Sequence, residues 1–164
     1  MYALPPLNFP ACALRISKRA GLQSVWDELR KRWLVLTPEE WVRRHVIRFV
    51  ENEMGAVALY MAQEVPVELH GQIQRADVVV YGRVGRITGE TTGRSGEALM
   101  LVECKAPEVA IDKACLAQAV RYNSVIGARY LFLTNGLRHY FYERNQEGKY
   151  VPLKEVPDLR SFFK

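Results

Sequence analysis

Cysteine and histidine are scarce in this chain, with three of each among 164 residues. The cysteines show no CxxC spacing and their number is odd, which argues against a disulfide framework, so we expect reduced thiols. The histidines do not combine with the cysteines at the spacing of a zinc site. These absences exclude the small disulfide-rich and zinc-stabilised classes of protein.

The chain also lacks the signals of membrane insertion, export and nucleotide binding. No apolar stretch reaches transmembrane length, and the first residues show no charged segment followed by an apolar one. We therefore expect a cytoplasmic protein with no membrane partner. The glycine-rich stretch at residues 82–97 lacks P-loop spacing, so it predicts a loop between strands and no nucleotide site.

The composition is that of a folded domain with a basic surface. Hydrophobic residues make up 49% of the sequence, which is enough for one substantial core, and we expect residues 1–164 to form a single domain. The net charge of +5 favours an anionic partner, although surplus arginines also occur on ordinary solvated surfaces. The basic residues cluster at Arg15, Lys18 and Arg19, at residues 30–32, and at Arg43, Arg44 and Arg48.

A helix is predicted to begin at Thr37. The threonine can cap the helix, Pro38 suits its first turn, and Glu40 stands three residues after the cap. Buried positions recur from Val42 onwards at helical spacing, and the helix should end near Gly55.

Two apolar strands each carry a carboxylate at one end. Asp77 precedes a run of valines, and Glu103 follows the apolar residues 98–102. Lys105 lies two residues after Glu103, so the two side chains share one face of an extended chain. Paired carboxylates bind Mg²⁺, and a nearby lysine can orient or deprotonate the attacking water. The pattern therefore predicts a site that cleaves phosphodiesters, against the alternative of surface ion pairs.

The remaining pattern predicts alternating strands and helices around these two strands. The N-terminal residues 22–32 are typical of either a short helix or a hairpin. Further elements are expected as a strand at residues 65–69 with a turn after it, a helix at 112–126, strands at 129–134 and 139–143, and a short helix at 159–164.

Longer stretches of the sequence resemble a known family. Asp77 with Glu103-Cys104-Lys105 resembles the PD-(D/E)xK nuclease superfamily, with Ala76 where a proline is usual. Residues 6–10, 30–43, 102–107 and 133–136 are similar to stand-alone relatives of the N-terminal domain of type I restriction enzyme R subunits. The resemblance implies an α/β fold in which a restriction-endonuclease-like mixed central β-sheet is flanked by helices.

The resemblance also implies further site residues. Proteins with this fold often add a glutamate from the first core helix to the metal ligands, and we favour Glu39 because Glu40 is expected to point away from the core. The alternative is that both glutamates only stabilise the helix start. Gln118 is expected to reach towards Lys105 or the phosphate, with Tyr122 on the same helical face. Arg43, Arg44 and Arg48 are the expected nucleic-acid contacts.

The expected activity is that of a metal-dependent endodeoxyribonuclease. Asp77, Glu103 and Glu39 would bind Mg²⁺, for which Mn²⁺ could substitute, while Lys105 and Gln118 would assist catalysis. DNA is the expected partner, together with a helicase or another component of a restriction system, and a homodimer is left open. The alternative is a nucleic-acid-binding module that keeps the nuclease fold without turnover; a purely structural role leaves the strand-end charges unexplained.

Overall fold

The computed structural model describes residues 4–82 and 96–164, which contain two β-sheets and two α-helices. The first sheet is a small antiparallel unit made of β1 (Ile16–Arg19), β2 (Leu22–Asp27) and β3 (Arg32–Val35). This unit resolves the N-terminal alternative in favour of strands. The loop predicted at residues 82–97 lies almost entirely outside the described residues.

The first helix, α1, spans Pro38–Asn52, and its start is the predicted one. Thr37 caps it, because the threonine hydroxyl accepts a hydrogen bond of 3.1 Å from the backbone N–H of Glu40. The helix ends three residues before Gly55, which adopts a φ of +77°. Val42, Val46 and Val50 on one side of α1 are buried, as the helical spacing predicts.

The second sheet has six strands in the order β4-β5-β6-β7-β8-β9. All neighbours are antiparallel except β6 and β7, which run parallel and are joined through the helix α2. The elements are β4 (Met61–Leu69), β5 (Gln72–Tyr81), β6 (Ala98–Cys104), α2 (Lys113–Ile126), β7 (Tyr130–Thr134), β8 (His139–Arg144) and β9 (Tyr150–Leu153). Short 3₁₀ turns lie at Ala58–Tyr60 and Arg160–Phe163.

The two helices cover opposite faces of the six-stranded sheet. Val78 and Val102 pack in one buried cluster with residues of α1, while their neighbours Val79 and Leu101 pack in another with residues of α2. Side chains alternate between the two faces of a strand, so each strand contributes to both clusters. The predicted α/β fold with a mixed central sheet flanked by helices is confirmed and is consistent with a restriction-endonuclease-like core.

Most predicted elements are present, but two strands, β1 and β9, have no counterpart among the predictions. The strand predicted at residues 65–69 begins earlier, at Met61, and the short C-terminal helix is a 3₁₀ turn. The edge strand β9 carries Pro152 and gave no strand signal. No helix within the two described ranges is long and apolar enough to span a membrane.

Candidate active site

Asp77 and Glu103 lie on adjacent strands at the same end of the sheet. Val78 of β5 pairs with Val102 of β6 in antiparallel register, so the next step of the register brings Asp77 beside Glu103. Both side chains are buried. The central position of β6, between β5 and the parallel β7, therefore fixes two carboxylates side by side, as the sequence predicted.

Asp77 is held by two hydrogen bonds. Its Oδ2 accepts from the backbone N–H of Cys104 at 2.7 Å, and its Oδ1 accepts from Nη2 of Arg43 at 2.6 Å. Burial raises the pKa of Asp77, and the charge of Arg43 and the Cys104 hydrogen bond only partly oppose this effect. These two hydrogen bonds fix the position of the Asp77 carboxylate, while burial makes its ionised form unfavourable.

Glu103 is buried without a complete set of partners. Its Oε2 accepts no hydrogen bond from any residue in the described parts of the chain. Burial raises the pKa of Glu103, and the neighbouring charge of Asp77 raises it further, whereas Lys105 lowers it. A buried carboxylate oxygen without a donor is costly, so this atom points to a cation or a proton at the site.

Lys105 is held near these carboxylates by α2. Its Nζ donates a hydrogen bond of 3.2 Å to Oε1 of Gln118, and Nε2 of Gln118 donates one of 2.9 Å to the hydroxyl of Tyr122. Tyr122 is buried against the sheet, which anchors the chain of contacts. The structure thus brings Gln118 to Lys105 as expected, and places Tyr122 behind it.

Arg43 from α1 is surrounded by carboxylates. In addition to Asp77, its guanidinium contacts Glu64 at 2.6 Å, Glu39 at 3.0 Å and Glu40 at 3.1 Å. Glu64 stands opposite Asp77 in the antiparallel pairing of β4 with β5, and its φ of +52° departs from the extended conformation. Arg43 therefore pairs with Asp77 but shares its charge with three other carboxylates.

The expected orientations of Glu39 and Glu40 are reversed. Glu40 is buried and its carboxylate lies 3.1 Å from Arg43 and 2.8 Å from Arg44, whereas the side chain of Glu39 is 45% exposed. Ion pairs with two buried arginines stabilise Glu40 inside the protein, an effect that helical periodicity does not describe. Burial is the main cause of the raised pKa of Asp77 and of Glu103. The negative charge of Glu39 raises both pKa values further, so Glu39 nevertheless lies near the site.

The expected nucleic-acid contacts also need correction. Arg43 and Arg44 are buried, and Arg44 contacts Asp27 at 2.7 Å and Glu40 at 2.8 Å, so neither guanidinium faces solvent. Both are held by carboxylates instead of being available to phosphates. Arg48 is 30% exposed and lies near Glu28 and Glu51 at 3.7 and 3.3 Å. Its contact with DNA stays a prediction.

The sequence predicts Arg43 as a nucleic-acid contact and gives no prediction for Glu64. The role of Arg43 differs because its partners Glu64 and Asp77 lie far away in sequence. Glu64 lies in an ordinary strand pattern, and nothing in that pattern indicates its positive φ. Only the tertiary pairing of β4 with α1 brings the two together.

The carboxylates fit a small metal site. Within residues 4–82 and 96–164, no group of three or more His, Cys, Asp or Glu side chains is arranged to hold a metal ion. Mg²⁺ commonly takes one or two carboxylates, with water and substrate phosphate completing its ligands. Asp77 and Glu103 supply two adjacent carboxylates, and the orphaned Oε2 of Glu103 supplies a free acceptor. These residues fit Mg²⁺.

Comparison with known proteins identifies a family. The family described as type I restriction enzyme R protein N terminus (HSDR_N) matches residues 38–157, which include both helices and the whole six-stranded sheet. No curated protein and no solved structure matches the chain significantly. The family match contains every residue of the candidate site and covers well over half of the sequence. The chain therefore belongs to the family of the type I restriction enzyme R protein N terminus.

Proposed function

We propose that this protein is a metal-dependent nuclease that hydrolyses phosphodiester bonds inside DNA. The observation that carries the proposal is the pair of buried carboxylates, Asp77 and Glu103, with Lys105 two residues after Glu103 and close enough to lower its pKa against the larger effect of burial. Arg43 pairs with Asp77, but Oε2 of Glu103 accepts no hydrogen bond from the described residues, and an uncompensated buried carboxylate of this kind is typical of a functional site. Membership in a restriction-enzyme family supports DNA as the substrate.

Asp77 and Glu103 would hold Mg²⁺, with Glu39 as a third carboxylate at the exposed side of the site. Mg²⁺ neutralises phosphate charge and lowers the pKa of bound water, and Mn²⁺ can substitute for it. Lys105 has a polar partner in Gln118 that fixes its ammonium group. In this position Lys105 would orient the attacking water and stabilise the negative charge that develops on the phosphate.

The partners follow from the family. Its name refers to a subunit of a restriction enzyme, so we propose that the domain acts with a helicase or another component of a restriction system. Such a partner would bring DNA to this domain, whose own candidate active site is small.

The proposal predicts that one variant loses Mg²⁺ binding and that another loses DNA cleavage while it still binds Mg²⁺. Asp77→Asn should abolish Mg²⁺ binding, measured by isothermal titration calorimetry, because a metal carboxylate is lost. Lys105→Ala should retain Mg²⁺ binding but lower the rate of DNA cleavage by roughly a hundredfold or more, because only the ordering of the reactive water is lost. Circular dichroism would check that both variants fold.

Asp158→Asn is the matched control, since Asp158 is an exposed carboxylate that pairs with Arg160. It should bind Mg²⁺ and cleave DNA as the wild-type protein does. Wild-type Mg²⁺ affinity in Asp77→Asn, or wild-type cleavage by Lys105→Ala, contradicts the assignment.

One observation favours a second function, that of a DNA-binding module without turnover. Arg43 and the Cys104 N–H already donate hydrogen bonds to both oxygens of Asp77, so this carboxylate has partners without a metal. DNA binding that persists in EDTA, with no product in Mg²⁺ or Mn²⁺, would establish this alternative.

A further inference from the structure

The N-terminal sheet carries an arrangement of tryptophan and arginine side chains that the candidate active site does not use. Trp26 and Trp33 are cross-strand partners whose ring centroids lie 5.5 Å apart at an interplanar angle of 64°. The guanidinium carbon of Arg15 lies 4.9 Å from the Trp26 centroid and 5.7 Å from that of Trp33. Arg19 lies 5.1 Å from the Trp33 centroid.

Arg15 and Arg19 are exposed, and within the described chain neither forms an ion pair. The nearby Glu28 accepts a hydrogen bond from the Trp26 indole and lies near Lys31 and Arg48. Side chains alternate along an extended chain, so Arg15 and Arg19 share the face of the tryptophans while Lys18 projects from the other face. This face therefore presents two cations whose charge is not balanced locally.

The stacked arrangement suits phosphate binding. An arginine whose plane rests on an aromatic ring keeps its N–H groups free at the edge, and it loses less conformational entropy when an anion binds. A row of such groups matches the repeated negative charge of a nucleic-acid backbone. The arginines of α1 differ, because Arg43, Arg44 and Arg48 are all engaged by carboxylates.

We propose that Arg15 and Arg19, supported by Trp26 and Trp33, form a second nucleic-acid-binding surface, which holds the DNA backbone outside the active site. This sheet precedes residues 38–157, so the family match does not account for it. The choice of DNA as the ligand rests on the proposed function. The binding of phosphate by these arginines needs no metal and does not depend on that function.

The test measures binding of a fluorescein-labelled 20-base-pair DNA duplex by fluorescence anisotropy in EDTA, which separates this surface from metal binding and cleavage. The double variant Arg15→Gln/Arg19→Gln should bind at least about tenfold more weakly at moderate salt. The slope of log affinity against log salt should fall by about 1.8, because two phosphate contacts at about 0.9 each are lost.

Arg144→Gln/Lys154→Gln is the matched control. It removes two exposed cations of the β8–β9 region that also lack ion pairs in the described chain. The control should bind within about twofold of wild type, whereas an equal loss in both double variants would show a bulk charge effect and overturn the proposal. Arg15→Lys/Arg19→Lys keeps the charge but not the planar stack, and it should recover only part of the affinity.

Further variants complete the test. Arg19→Gln alone leaves the contacts of Arg15 with both rings, and it should weaken binding and lower the slope by about 0.9 even if the double variant fails to fold. Lys18→Gln removes a cation from the opposite face of the same strand, and it should bind within about twofold of wild type. Unchanged binding by folded Arg15→Gln/Arg19→Gln overturns the proposal, as does tighter binding of a polyglutamate peptide than of DNA. If Asp77→Asn loses metal binding or cleavage while its DNA affinity in EDTA is unchanged, the surface is supported independently of the nuclease assignment.

Discussion

Arg43 is the residue on which the geometry of the candidate site depends most. One buried guanidinium is shared by Asp77, Glu64, Glu40 and Glu39, and the first two contacts are both 2.6 Å. Removing one partner from a buried ionic group is far more destabilising than removing an exposed pair, because the remaining charges lose their compensation.

We therefore expect Arg43→Met to lower the free energy of unfolding by about 3–5 kcal/mol, measured by urea denaturation at neutral pH. Arg48→Met is the control, because Arg48 and its acidic partners are each about one third exposed; its loss should be about 0–1 kcal/mol. Equal destabilisation by the two substitutions would contradict the central role given to the Arg43 network.

Some residues of the candidate site are predictable from the sequence, and the burial of Arg43 is not. The sequence predicts Asp77, Glu103 and Lys105 because each acid borders an apolar run and the strand period places side chains 103 and 105 on one face. The strand of Asp77 extends further than its valines, since β5 begins at Gln72 and Asp77 lies within it. Gln118 was predictable only through the family resemblance. The burial of Arg43 was not, since it depends on a contact with Asp77 across 34 residues of sequence.

At the scale of elements, the start of α1 positions two of the acidic side chains around Arg43. Glu39 and Glu40 both lie in the first turn, directly after the Thr37 cap. The cap satisfies one of the backbone N–H groups that otherwise lack a partner at a helix start.

Thr37→Ala should accordingly lower the free energy of unfolding by about 1 kcal/mol, and Thr37→Ser should retain most of it because serine keeps the accepting hydroxyl. Both values are measurable by urea denaturation. Equal losses in the alanine and serine variants would show that the hydroxyl does not stabilise the helix.

Element boundaries were predictable where the signal is local. The cap and proline marked the start of α1, and Asp112 similarly caps α2 by accepting from the Cys115 N–H. The hairpin alternative at residues 22–32 corresponds to β2 and the start of β3, whereas β1 has no counterpart among the predictions, because four to six residues cannot display a clear period. The positive φ of Glu64 within β4 is likewise specified by no local pattern.

At the scale of the whole molecule, Asp27 joins the N-terminal sheet to the rest of the protein. This fully buried carboxylate accepts hydrogen bonds from Gln63 of β4 at 2.9 and 3.1 Å and pairs with Arg44 of α1 at 2.7 Å. It also pairs with Arg30. Burial alone would raise the pKa of Asp27, but the contacts with Arg30, Arg44 and Gln63 outweigh it and lower the pKa to about 2.

This lowered pKa predicts a pH dependence of stability. Because the folded pKa lies below the ordinary value of 3.8, the stabilisation by Asp27 is fully present above about pH 4 and is lost as the pH falls towards 2. The contribution is about 2 kcal/mol. The free energy of unfolding of Asp27→Asn should therefore fall less steeply than that of wild type between pH 4 and 2 in urea titrations. Parallel slopes for the two proteins would contradict this role.

The order of the main elements and the mixed character of the sheet were predictable from alternating strand and helix signals. How the two sheets are joined was not, since Asp27, Arg44 and Gln63 belong to three different elements. The sequence placed Arg44 among surface charges, and only the folded protein shows that it ties β2 to α1.

Both edge strands of the six-stranded sheet contain a proline, Pro66 in β4 and Pro152 in β9. Proline cannot donate a backbone hydrogen bond, and the positive φ of Glu64 further disturbs the β4 edge. Neither edge is a suitable template for a strand from a second molecule. The sheet is thus protected against open-ended polymerisation, and a homodimer of this protein must assemble through side chains rather than by continuing the sheet from one copy into the next.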